Sequence, residues 1–521
     1  MEGKMPNQKA TRREWIGLVA LALPCLLYTM DLTVLNLAVP HLVADLKPSA
    51  VQLLWIVDIY GFLIAGSLIT MGTLGDRIGR RKVLLTGAVL FGAASVIAAF
   101  STSAEMLIAA RALLGIAGAT LAPSTLSLIR NMFHDAGERT FAISIWATSY
   151  SVGAAIGPLL GGVLLEYFWW GSVFLLAVPV MVLLLIVGPI LLPEYRDPGA
   201  GRLDVASAAL SLVAVLAMVY GLKQIASDGV AWLPVAAILG GVAVGAAFVM
   251  RQRSLADPLL DLSLFRSRPF SAALIVNVIA CFVAFGPFVF IAQYLQLVIG
   301  LTPLKAGLWT LPSSVGFVVS SMMTSWIVAR IPAPRVIAGG LALASLAFLL
   351  LTQVGNGHPL GMIVAATIVM SLGLGLVFTL TTDLIVGAAP PERAGAAGAL
   401  SETGAEFGGV LGIAVLGSIG MAIYRGAMTG GVPAGVPEEA AHTARDTLGG
   451  AVAIAPQLPD GLADALLVVA RDAFSSGFEL IATISTVLTI VAAVVMLLMF
   501  RKDGPTRPSD ELQSAAVQKA A

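Results

Sequence analysis

The chain has 521 residues, 58% of them hydrophobic and 12% charged, with 30 basic and 30 acidic side chains in balance. Soluble domains carry about 25% charged residues, so the balance excludes a water-solvated globule and leaves lipid as the solvent. A net charge of zero removes the bulk electrostatic case for nucleic acid or another polyanion.

The chain opens on a polar, basic segment, residues 1–14, with Lys4, Lys9, Arg12 and Arg13. The apolar run behind it is too long for a signal-peptide core and lacks a small-residue cleavage site, so it reads as a retained first span. A crossing helix needs about 20 apolar residues. Such runs fall at 15–39, 51–74, 83–101, 104–129, 140–164, 170–192, 205–222, 231–250, 271–297, 303–328, 336–352, 359–387, 396–423 and 476–500. The expectation is an all-α integral membrane protein of fourteen spans. With the N-terminus inside, inside segments hold 23 of the 30 Lys and Arg and outside loops 6, three of them in the long loop 424–475, while Arg111 alone lies within a span. This bias predicts cytoplasmic N- and C-termini.

After the second span the sequence reads GDRIGRRKV (75–83), and after the tenth ARIPAPRV (329–336), a worn copy at an equivalent place. The repeat predicts two six-helix bundles, 15–192 and 271–500, with helices 7 and 8 inserted in 193–270 between the linker 193–203 and the loop 251–270. The tail, 501–521, reads as disordered. Cys25 and Cys281 sit in apolar runs and read as small buried hydrophobes, with neither a disulfide nor a metal role.

Ionisable side chains are costly inside a membrane and mark function. Asp31, Asp58 and Arg111 fall at one level, roughly 10–12 Å below the outer surface at 1.5 Å per residue. They can form one mutually neutralising cluster; the plainer alternative is an ion pair locking three helices. Glu402 and Glu406, four apart on span 13, share a helical face, with nothing basic nearby in sequence. A buried carboxylate without a partner holds its proton more tightly, so it can exchange a proton for an arriving cation; the alternative is a polar contact in the bundle core. Asp383 falls near the inner end of span 12 and counts for less.

The inner loop GTLGDRIGRRKVLL packs Gly72, Asp76, Arg77, Gly79, Arg80 and Arg81 into a tight turn. Its glycines allow close helix approach, and Asp76 can cap a neighbouring helix. In span 5, GAAIGPLLGG offers Gly153, Gly157 and Gly161 at small-xxx-small spacing, with Pro158 inside the helix and Gly162 beside the stripe.

These residues resemble a known family. LYTMDLTVLNLAVP (27–40) resembles the first-helix signature of fourteen-span major facilitator antiporters, and the Gly72–Leu85 loop that superfamily's inner-loop motif. RALLGIAGATLAPS (111–124) is similar to its fourth-helix motif, and Gly153–Gly162 to its antiporter motif. LWIVDIY (54–60) and SETGAEFGG (401–409) look like bacterial pumps for quaternary ammonium compounds, dyes and fluoroquinolones. The resemblance implies the major facilitator fold in a bacterial cytoplasmic membrane. It implies proton or cation coupling at Asp31, Asp58, Glu402 and Glu406, a proton relay through Arg111, and gate stabilisation by Asp76. Some relatives carry a further acid in helix 10, where GLWTLPSSVGFVVSS has none, which weakens the case for divalent cations. Relatives also place a structured hairpin in the loop corresponding to 424–475.

The expected function is a proton-coupled antiporter exporting lipophilic cations by alternating access, a monomer in the bilayer with no cofactor beyond the proton gradient. Trp55, Tyr60, Trp146, Trp309 and Phe407 are candidate substrate contacts through cation–π and apolar surface, each with ordinary packing as its alternative. The same scaffold can carry a lipid, an amino acid or a siderophore. A membrane-embedded enzyme is a poorer fit: His41, His134, His358 and His442 lie in or near loops without a Ser or Cys partner, and no G-x-x-x-x-G-K-[ST] loop is present.

Overall fold

The computed structural model of the chain describes residues 9–48, 50–196, 204–255, 258–354, 359–390 and 393–499. Lys4, His358, part of the linker 193–203 and the tail 501–521 therefore lie outside the described residues, as do the side chains of Leu54 and Pro158. Among the described residues, fourteen helices are long and apolar enough to cross a membrane. In order they are Arg12–Leu46, Ala50–Ile78, Arg80–Ala99, the pair Ala104–Gly118 and Leu121–Met132, Ala136–Tyr167, and the pair Ser172–Leu175 and Ala177–Leu191. Val205–Asp228 and Trp232–Ser254 follow, then Arg268–Gln293, Pro303–Val328, Ala333–Leu351, Pro359–Ala388, Ala394–Gly431 and Asp460–Met499. They are called spans 1 to 14 below; the face where span 1 begins and span 14 ends is called the terminal face.

Two spans are interrupted for a local reason. A proline clashes with the carbonyl four residues before it. Pro123 points this clash at Ala119, where span 4 breaks, and Pro179 at Leu175, where span 6 breaks. At the first break the Thr120 hydroxyl and backbone N–H both donate to the Ala117 carbonyl, at 2.7 and 3.1 Å.

Apolar side chains of spans 1–6 close around one core that includes Leu21, Phe91, Leu114 and Phe133, all 1% exposed or less. Spans 9–14 close around a second, with Leu341, Phe348, Leu416 and Phe478. On the outside, Ile186, Ile190, Trp232, Leu239 and Leu498 are exposed, a surface that only lipid solvates. Spans 7 and 8 pair with each other, and span 7 also lies against spans 2 and 13, one from each half. Phe62 and Ala65 of span 2 and Val215 and Val219 of span 7 are buried in that contact. The inserted pair is thus a splint along the seam between the halves.

Spans 1 and 5 approach closely. A Cβ on Gly153 would fall on the Leu26 carbonyl and the Thr29 hydroxyl, and one on Gly161 would meet Val34. Gly162 has open space where its Cβ would stand, so it takes no part in the contact. Gly153→Val is expected to lower the melting temperature of the purified protein, since overpacking costs about 1–3 kcal/mol, while Gly162→Ala should leave it unchanged.

The segment 424–475 differs most from its reading as a loop. Span 13 runs on to Gly431 and span 14 already begins at Asp460, giving helices of 38 and 40 residues. At 1.5 Å per residue each is about 60 Å long, roughly twice the hydrocarbon core. Short helices at Glu438–Asp446 and Leu448–Ile454 fill the turn. Asp464, Arg471 and Asp472 break the hydropathy run but not the helix, because Leu466, Ala470, Ala473 and Phe474 are buried along one face.

Candidate functional site

At the terminal face the two halves are clamped together. Asp76, at the last turn of span 2, accepts from the backbone N–H of Gly395 (3.2 Å) and Ala396 (3.0 Å) at the start of span 13. It thereby caps a helix N-terminus belonging to the other half. Arg80 Nε donates 2.7 Å to the same carboxylate, and Arg80 is 0% exposed. The contact needs bare backbone: a Cβ on Gly72 would stand 2.6 Å from Ala399 Cβ and from the Gly395 carbonyl. Gly79 adopts φ +119° and has Glu194 against its Cα, a position suited to glycine alone. Arg81 donates to the Leu192 (3.0 Å) and Pro189 (3.2 Å) carbonyls and faces Glu194, tying the loop to the end of span 6. Arg77 is nearly buried in the same turn.

A second clamp had little sequence signal. Asp383 accepts from Arg139 Nε (2.8 Å) and the Thr140 hydroxyl (2.7 Å), joining span 12 to span 5 across the halves. The repeat of the inner loop is only partial: Ala329 stands where Asp76 does, and Arg330, which aligns with Arg77, lies exposed over the Trp326 ring at 4.0 Å. The inserted pair is secured at the same face, where Asp204 accepts from Arg251 Nε (2.8 Å) and Nη2 (3.0 Å). Those guanidinium bonds, followed by the Ser207 hydroxyl, hold the Asp204 carboxyl below its ordinary range. The carboxylate therefore stabilises the fold above an unfolded value of about 4, and its contribution is lost as pH falls toward the folded one. Asp204→Asn is expected to flatten the acid limb of the detergent-solubilised protein's melting curve below about pH 4.

Farther from the terminal face, Asp31, Asp58 and Arg111 do not form one cluster. Arg111, 0% exposed, pairs with Asp31 and donates from Nε to the Ile56 carbonyl (3.2 Å), its guanidinium 4.5 Å over the Tyr60 ring. Arg111 Nη2 has no hydrogen-bond partner among the described residues. A narrow cleft lined by Leu27, Met30, Asp31, Val34 and Phe174 opens beside the pair. Asp58 instead meets Lys223 Nζ at 2.5 Å, a base from span 7. Lys223 lies just past the apolar run 205–222, so hydropathy places it in a loop; the helix runs on to Asp228 and returns it to the seam.

Glu402 and Glu406 sit between the halves, half-buried. Glu406 is not without a partner: the Tyr28 hydroxyl of span 1 donates to it at 2.7 Å, and the Lys223 charge lies within electrostatic reach. Among the described residues nothing hydrogen-bonds or ion-pairs with Glu402, which stands within electrostatic reach of Cys25, Tyr28 and Tyr150. Tyr28 packs on Tyr60 and Tyr150 (ring centroids 6.3 and 5.6 Å), and Tyr150 on Trp146 at 4.8 Å. Trp146 Nε1 donates to the Thr125 hydroxyl at 3.0 Å. An aromatic wall therefore faces the two glutamates across the seam. Tyr28 and Tyr150 belong to it although sequence reasoning passed over them. Of the other aromatic candidates, Trp55 is 37% exposed with its ring edge-on to Phe62, Phe407 is half-buried, and Trp309 is 44% exposed on span 10.

Two helical halves that touch along a seam, with carboxylates held inside it and a clamp across one face, define a membrane transporter. The Major Facilitator Superfamily profile matches residues 21–413. The multidrug efflux pump LfrA of Mycolicibacterium smegmatis is 43% identical over 96% of this chain and 99% of its own. The methyl viologen resistance protein SmvA of Salmonella typhimurium is 36% identical over 89% and 93%. The tetracenomycin C resistance and export protein of Streptomyces glaucescens is 32% identical over 96% and 94%. The human organic anion transporter MFSD10 shares the fold, at TM-score 0.56 and 15% identity over 91% of this chain and 99% of that one. The chain belongs to the Major Facilitator Superfamily, among its drug efflux transporters. It is a transporter and not an enzyme.

Proposed function

We propose that the protein exports lipophilic cationic drugs, quaternary ammonium compounds and dyes first among them, in exchange for protons across a bacterial cytoplasmic membrane, with both termini cytoplasmic. The observation that carries this reading is the pair Glu402 and Glu406 on one face of span 13, opposite an aromatic wall, with no base ion-paired to either among the described residues. A carboxylate in low dielectric binds either a proton or an organic cation, and aromatic faces attract such cations. One site serving both in turn is the requirement for antiport. The clamps at the terminal face close the path to the cytoplasm, so alternating access requires Asp76 to release span 13 and Asp383 to release Arg139. SmvA, named for methyl viologen resistance, agrees with a cationic cargo, since methyl viologen is a dication, and LfrA, named a multidrug efflux pump, agrees with drug export.

The test is ethidium uptake into inverted vesicles carrying the protein. Uptake should require an imposed pH gradient and collapse with a protonophore; uptake that persists without the gradient would refute proton coupling. The gate has its own expectation. Asp76→Ala leaves Arg80 buried without its carboxylate and span 13 uncapped, and a cap contributes about 0.5–2 kcal/mol. In a background lacking Cys25 and Cys281, Ser401→Cys should then react faster with maleimide from the cytoplasmic side.

A further inference from the structure

We infer that Asp58 and Phe62 form a second organic-cation site on the seam, within electrostatic reach of Glu406, and that Lys223 occupies it as a tethered cation that the cargo must displace. The inference rests on the proposed cation export and adds to it a role for the inserted helices.

Three observations place the ammonium in a recognition site rather than in an ordinary structural pair. Its Nζ lies 2.5 Å from Asp58 Oδ1 and 4.8 Å from the Phe62 ring centroid, a carboxylate and an aromatic face converging on one cation. Those two elements are what a lipophilic ammonium ligand needs. The pair is also open: the Lys223 and Asp58 side chains are 36% and 20% exposed, against 0% for Arg111 in the neighbouring pair with Asp31. Openness makes the Lys223 ammonium exchangeable, whereas the pair of Arg80 and Asp76, with exposures of 1% and 7%, leaves no route for a second cation. The pair of Arg251 and Asp204 is equally open, and it is the aromatic face and the place on the seam that set Lys223 apart. Finally, Lys223 stands where the halves meet. Span 7 packs on span 2 and on span 13, and the ammonium acts at once on Asp58 and, at longer range, on Glu406.

The consequence is a charge rule for the seam. While Lys223 holds Asp58, that carboxylate is already neutralised and presents no net attraction to a second cation. An incoming cation gains Asp58 only by pushing the ammonium toward solvent, which the four-carbon stem of lysine permits. Net-neutral ligands have no such competitor, so Lys223 sets a selectivity between charged and uncharged cargo.

The test is equilibrium binding of tetraphenylphosphonium, and of an uncharged lipophilic ligand of similar size, to the purified full-length protein in nanodiscs. Lys223→Gln, with Lys223→Met as a second variant in case the first misfolds, should tighten tetraphenylphosphonium by about tenfold or more, equivalent to about 1.4 kcal/mol. The uncharged ligand should be unaffected, and Lys223→Arg should behave as wild type. In an Asp58→Asn background the Lys223→Gln effect should vanish, as a coupled pair requires. Unchanged or weaker tetraphenylphosphonium binding in both neutral variants, or equal tightening of both ligands, would overturn the inference while leaving cation export intact. A wild-type protein that binds no organic cation would overturn the export reading and this inference with it.

Discussion

Glu402→Gln and Glu406→Gln are each expected to cut gradient-driven ethidium efflux by about tenfold or more, because glutamine keeps the shape but neither titrates nor attracts a cation. The two should differ in kind. Glu406 is held by the Tyr28 hydroxyl at 2.7 Å, whereas Glu402 has no hydrogen-bond partner among the described residues. A hydrogen bond to a charged acceptor contributes about 1.5–3 kcal/mol. Tyr28→Phe should therefore weaken efflux by about tenfold or more while leaving the Glu402→Gln phenotype as it is. Initial rates in inverted vesicles at several ethidium concentrations check this. If Tyr28→Phe left both rate and half-saturation unchanged, the Tyr28 contact would be structural only.

Arg111→Ala carries the largest expected cost in stability. Breaking a buried pair by removing one member costs about 3–5 kcal/mol, and Arg111 is wholly enclosed, with Asp31, the Ile56 carbonyl and the Tyr60 ring around it. The variant should express poorly and melt many degrees lower. Asp31→Asn combined with Arg111→Leu should recover much of that stability, since an apolar replacement of a buried pair is often neutral, yet should not recover transport. Melting of the detergent-solubilised proteins alongside efflux separates the two outcomes. Full transport in the double variant would show that the pair only braces spans 1 and 4.

The fourteen spans were legible because each is a separate apolar run, and lipid-facing residues such as Ile186 and Leu498 contribute to hydropathy as fully as core residues do. Span ends were less legible. The extension of span 14 back to Asp460 depends on burial of Leu466 and Phe474 against other elements, which outweighs the local charges. Acids inside the membrane were found individually, because rarity marks them. Their partners were not: Tyr28 and Glu406 are 378 residues apart, Arg139 and Asp383 are 244, and Lys223 and Asp58 are 165. Shared depth suggested joining Asp58 to Arg111, but depth fixes only one coordinate. Position around the bundle turns Asp58 toward the inserted helix instead. Lys223 itself could have been found by extending the period of span 7 one turn beyond its last apolar residue.

The central claim, that proton and organic cation compete for the same carboxylates, is tested most directly by proton release on binding. Adding tetraphenylphosphonium to the purified protein in weakly buffered detergent solution with a pH-sensitive dye should acidify the medium. The release should shrink in Glu402→Gln and Glu406→Gln and disappear in the double variant. Saturating binding without any proton release across the physiological pH range would contradict the account.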